Sequence, residues 1–61
     1  MYTIRLDKGP RPCWFAEWLD QDDTIPGVNY QYKNAATFKT RAEAGDIARQ
    51  LGAWVPTVEE G

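Results

Sequence analysis

Few residues in this 61-residue chain have the chemistry to act on a bond. Histidine is absent and Cys13 is the only thiol. A cysteine nucleophile needs a base or a positive surrounding to become thiolate. Arg11 is the one cation close to Cys13 in sequence, and the thiol reads as a small, partly buried side chain. Paired carboxylates can replace histidine only where burial raises the pKa of one of them. Here Asp20, Asp22 and Asp23 crowd a polar, turn-rich stretch where carboxylates stay ionised. As a calcium loop that stretch fails, because such a loop needs glycine at its sixth position and glutamate at its twelfth. Counted from Asp20, those positions hold Ile25 and Gln31. One thiol without histidine is too little for a zinc site, and no cofactor motif is present. The reading is a non-enzyme with no catalytic, cofactor or metal residues.

The remaining chemistry is recognition. Phe15 falls opposite the Trp14 and Trp18 positions, beside Arg5 and Glu17, and Tyr30 and Tyr32 share a side and precede Lys33. With Asp20, Asp22 and Asp23 these residues form the candidate partner-binding set. Aromatics next to cations suit a protein hot spot and also a single-stranded nucleic acid. Seven basic against nine acidic residues, net charge −2, disfavour general phosphate neutralisation. A protein partner is the first expectation, nucleic acid the second, and a structural subunit or homodimer built on Trp54 and a strand edge the third.

The elements that must position these residues follow from periodicity. Tyr2–Leu6 alternates with period two and reads as a half-buried strand. Gly9-Pro10 supplies a turn, and Cys13–Leu19 is the second strand of an antiparallel hairpin. Its Trp14, Ala16 and Trp18 face is assigned to the core, since the opposite face would bury Glu17. Pro26-Gly27 suggests a type II turn, and Tyr30–Tyr32 a short strand or ordered loop. Thr40 and Glu43 form a capping box for a helix over about 41–51. Ala44, Ile47, Ala48 and Leu51 make its apolar stripe. Gly45 inside the helix suggests that a large ring approaches closely, and Gly52 suggests a left-handed helix stop. Ala53–Val55 reads as a final short strand ended by Pro56, and Thr57–Gly61 as a frayed tail.

The expected fold is therefore one α+β domain over residues 1–56, a small antiparallel sheet of three or four strands covered by one helix, in the order β-β-(β)-α-β. A chain this short buries only about 60% of its unfolded surface, so the three tryptophans, three tyrosines and two phenylalanines must carry much of the core. The start at Met1, without an export signal or membrane-length apolar run, reads as a complete short gene product of the cytoplasm, with no membrane partner.

The stretch Ala35-Ala36-Thr37-Phe38-Lys39-Thr40-Arg41-Ala42-Glu43-Ala44, followed by Ala48 and Leu51, resembles the "A-x-x-F-x-T-x-x-E-A-x-x-x-A" segment of short uncharacterised phage and prophage proteins. In those proteins a hairpin similar to Tyr2–Leu6 and Trp14–Asp20 often precedes the segment. The resemblance covers about half the chain and carries over no functional residues, and Gly45 departs from it. It implies a host-cytoplasmic inhibitor or accessory factor, including the anti-CRISPR kind, that occludes a surface of host machinery or defence. In that setting Asp20, Asp22 and Asp23, with Glu59 and Glu60, would stand where nucleic-acid phosphates sit.

Overall fold

A computed structural model describes all 61 residues. Four strands, β1 (Tyr2–Leu6), β2 (Cys13–Trp18), β3 (Pro26–Asn29) and β4 (Pro56–Glu60), form an antiparallel sheet in the order β3-β2-β1-β4. One helix, α1 (Arg41–Gln50), covers one face, with short 3-10 turns at Tyr32–Asn34 and Gly52–Trp54. The expected α+β architecture with its first hairpin is present.

The core consists of Ile4 and Leu6 from β1, Cys13 and Phe15 from β2, Ala44 from α1, and Leu51 at its end. Phe15 packs edge-on against Trp18 at 5.0 Å and stacks with Phe38 at 6.5 Å. This reverses the facing expected for β2. Cys13 and Phe15 are inward and Glu17 is exposed, because the strand does not alternate strictly. The register passes from Phe15↔Val28 to Glu17↔Gly27, leaving Ala16 as a bulge. An extra residue re-phases the side chains, so Glu17 escapes burial while Trp18 packs on the core. Gly27 is part of β3 and has no positive φ, so the expected type II turn is not formed. A Cβ at Gly27 would lie 3.0 Å from Leu19 Cδ2 and 3.1 Å from Glu17 Cγ, so the glycine makes room for the side chains beside the bulge.

β1 and β2 pair only through Arg5↔Trp14 and Leu6↔Cys13 and then separate. The segment before the helix enters the gap. Ala36 N–H donates to the Phe15 carbonyl at 2.9 Å, and Tyr2 and Phe38 exchange backbone hydrogen bonds of 2.9 and 2.8 Å. Buried strand backbone must find partners, and Ala36–Phe38 supplies them.

Thr40 caps α1, its Oγ1 accepting from Glu43 N–H at 3.1 Å. A Cβ at Gly45 would have no neighbour within 4 Å, so no ring approaches it. Gly52 keeps a negative φ; the left-handed residue is Val55, at φ 55°. The chain then enters β4 directly. Ala53–Val55 is not a strand and Thr57–Glu60 is not frayed: β4 pairs with β1 along its whole length, from Tyr2↔Glu60 to Leu6↔Pro56. The domain thus extends past residue 56.

Candidate functional site

The sheet face opposite α1 holds the most organised group of polar and aromatic side chains. Thr3 and Arg5 from β1, Trp14 from β2, and Thr57 and Glu59 from β4 share it by register. Arg5 Nη1 donates to Glu59 Oε2 at 2.9 Å, and Arg5 Nε donates to Asp7 Oδ2 at 3.2 Å. Trp14 Nε1 donates to the other Glu59 oxygen at 3.2 Å. One carboxylate therefore holds both a guanidinium and an indole in place. The charged groups remain about a third exposed, so water screens the charge pairs and their main effect is to fix orientation.

Tyr32 lies above this layer. Its ring meets Trp14 edge to face at 5.7 Å, and its hydroxyl occupies the place a Cβ at Gly61 would take. The ring thus reaches across the strand that carries Thr3, which is only 3% exposed although it belongs to the open face. Thr3 Oγ1 has no hydrogen-bond partner there.

The loop that carries Tyr32 is held by Asn29. Asn29 Oδ1 accepts from Gln31 N–H at 2.8 Å and from Asn34 Nδ2 at 3.4 Å, the Asx-turn chemistry of asparagine. Tyr30 is 53% exposed, with the Arg11 guanidinium 4.6 Å from its ring centre. Tyr30 and Tyr32 therefore have different neighbours, because the 3-10 turn at Tyr32–Asn34 breaks the alternation. Lys33 is exposed on the same turn. Two further cations lie over rings, Lys8 over Trp54 at 5.0 Å and Arg41 over Tyr2 at 5.3 Å.

Phe15 does not belong to this surface. At 4% exposure it is a core ring, placed there by the phase of β2 ahead of the bulge. Asp20 belongs to the β2–β3 connection and works inside it. Its Oδ1 accepts from Thr24 N–H at 2.8 Å and Ile25 N–H at 2.9 Å, and its Oδ2 accepts from the Thr24 hydroxyl. The Thr24 hydroxyl first, then the Ile25 N–H, hold the Asp20 carboxyl below the usual aspartate value. Asp22 and Asp23 are exposed at the tip of this connection, with Asp23 in the left-handed region at φ 55°. Asp20, Asp22 and Asp23 do not converge into a metal-ligand cluster. Cys13 is buried, its Sγ 3.8 Å from the Leu6 carbonyl oxygen. Burial, and then the charge of Asp7, push its thiol above the ordinary value.

Of the residues expected from sequence, Tyr30, Tyr32 and Lys33 share one loop, while Asp22 and Asp23 occupy a separate hairpin tip. Trp14, expected in the core, is an addition to this surface, and its grouping with Arg5 and Glu59 is revealed only by the fold. Arg5 and Glu59 are 54 positions apart, and only the β1–β4 pairing joins them. The surface has no pocket, and no helix is long and apolar enough to cross a membrane. Compared with protein-family models, with curated proteins and with solved structures, the chain shows no match.

Proposed function

We propose that this chain is a non-catalytic binding factor that covers a surface of a larger protein with its open sheet face. The observation that carries the reading is the bonded row Trp14–Glu59–Arg5 with Tyr32 above it. Tryptophan, tyrosine and arginine dominate the energetic centres of protein interfaces. Side chains already fixed before contact lose less freedom on binding. Tyr30, backed by Arg11, extends the same kind of surface. A flat face without a pocket suits surface occlusion better than capture of a small molecule.

The likeness of residues 35–51 to phage and prophage segments supports placing this activity in a host cytoplasm, as an inhibitor or accessory factor of host machinery or defence. Asp22 and Asp23, exposed at the hairpin tip, are the carboxylates free to meet a partner's cationic groove. Asp20 is excluded from that role by its three internal donors. A nucleic-acid reading draws on Tyr30, Arg11 and Lys33, but Arg5 is committed to carboxylates and the chain is net negative.

The test is affinity capture from a bacterial host lysate, with and without nuclease, using the wild type and a Y30S/Y32S variant. Both changes are at exposed positions, so the fold is expected to persist. A defined protein retained by the wild type after nuclease treatment and reduced about tenfold or more with the variant, roughly 1.4 kcal/mol, supports the reading. Equal retention by both contradicts it. Capture that disappears on nuclease treatment assigns the surface to nucleic acid instead.

A further inference from the structure

The β2–β3 hairpin leaves an aliphatic pair uncovered at the end of the open face. Trp18 packs on the core, so its neighbours Glu17 and Leu19 point to the opposite face. Leu19 N–H donates to the Ile25 carbonyl at 2.8 Å, one step beyond the Trp18↔Pro26 pair. Leu19 and Ile25 therefore stand opposite each other across the hairpin, 64% and 54% exposed. Leu19 is nonetheless held in place. Its Cδ2 and Cγ lie 3.0 and 3.3 Å from where a Cβ at Gly27 would be, so the leucine leans across β3 where the glycine leaves space. Single exposed apolar side chains are ordinary, but an adjacent pair left open to water on one face marks a contact surface.

The charge around this pair decides what can cover it. Residues 12–32 hold four carboxylates, Glu17, Asp20, Asp22 and Asp23, and no lysine or arginine. The ion pairs of the chain draw only on Arg5 and Arg49, so none of them neutralises this hairpin. Glu17, Asp22 and Asp23 are exposed, while Asp20 is turned to the donors of its own loop. Such a rim repels the phosphates of nucleic acid and an anionic lipid surface. It also disfavours a second copy seated here by two-fold symmetry, which would set these carboxylates against their own kind. We infer that the Leu19–Ile25 pair receives an aliphatic or aromatic side chain from a segment of a partner protein, with lysine or arginine beside it to meet Glu17, Asp22 and Asp23. The inference rests on recognition through the open face, extends that face along β2, and names the chemistry of the partner. Removing the aliphatic pair from water supplies attraction without direction. The carboxylates select which segments fit and speed their approach.

Selection of random short peptides, displayed on yeast, against the full chain tests this chemistry directly. The selected sequences are expected to share an aliphatic or aromatic residue with lysine or arginine beside it. One such peptide is then synthesised and titrated by calorimetry against the wild type and the variants L19S/I25S, D22N/D23N and Y30S/Y32S. All six changes are at exposed positions, and asparagine suits the left-handed backbone at Asp23. L19S/I25S should weaken binding about tenfold or more. D22N/D23N should weaken it about threefold or more and reduce its dependence on salt. Should L19S/I25S lose its cooperative thermal transition, D22N/D23N decides the matter. A shared sequence without basic residues, no binding peptide at all, or a peptide that binds the wild type and the deciding variant equally overturns the inference. If Y30S/Y32S weakens the peptide and L19S/I25S does not, recognition through the open face stands and this inference alone falls. If no variant weakens it, both fall.

Discussion

At the scale of single residues, side-chain hydrogen bonds decide how the exposed connections of this protein close. Asp20 shows this most clearly. Its carboxylate closes the β2–β3 connection by accepting from Thr24 and Ile25, and these donors favour its charged form, lowering its pKa. A carboxyl lowered by folding stabilises the closed connection at pH above its unfolded value, about 3.9. That contribution is lost as the pH falls through the lower folded value. The Thr24 and Ile25 amide resonances should therefore titrate with a midpoint below the ordinary aspartate value. A midpoint at the ordinary aspartate value would contradict this account of the loop.

Gly45 is a second residue-scale case. It resembles a packing glycine in sequence, yet nothing lies within 4 Å of where a Cβ would be. Gly45→Ala should stabilise the protein by up to about 1 kcal/mol, since it removes backbone freedom from the unfolded chain without a clash. The expected gain is roughly 4–8 °C in Tm for a full 1 kcal/mol, read by thermal circular dichroism. A lower Tm would show that something meets this surface.

At the scale of elements, the parts that depend on neighbours in sequence are legible and those that depend on distant ones are not. The Thr40 cap and the apolar stripe of α1 need only local spacing, as does the hairpin of β1 and β2. The bulge at Ala16 is hidden, because strict alternation offers only a choice between burying Trp14 or Glu17. β4 is hidden by its composition. Pro56 looks like a stop and Glu59-Glu60 like a solvated tail, yet pairing with β1 turns both into edge-strand residues. Deleting Thr57–Gly61 should abolish the cooperative thermal transition, because it removes the partner of β1 and the Glu59 anchor of Arg5 and Trp14. A truncated chain that melts like the full one would show β4 to be dispensable.

The same division runs through the candidate site. Tyr30, Tyr32 and Lys33 are readable as a short aromatic and cationic run. Strict alternation instead puts Trp14 in the core and Phe15 on the surface, each in the other's place. The Glu59 partnership with Arg5 and Trp14 spans 54 and 45 positions. No local pattern encodes it.

At the scale of the whole molecule, the two faces of the sheet are unlike. One is sealed by α1 over Ile4, Leu6, Phe15 and Leu51. The other carries a fixed row of Trp14, Glu59 and Arg5 beneath Tyr32. With about 26 × 23 × 18 Å of extent, the molecule has little beyond its surfaces with which to act, and the open face is the one with ordered aromatic and charged groups. A protein that works by recognition should therefore meet its partner there. Site-specific photo-crosslinking in a bacterial host reads that contact, with a benzophenone side chain placed at Glu17 or Tyr30 near the open face and at Ala42 or Gln50 on the exposed side of α1. A discrete crosslinked protein is expected from Glu17 and Tyr30 and none from the helix positions. Crosslinks from Ala42 or Gln50, with none from the open face, would contradict recognition through the sheet.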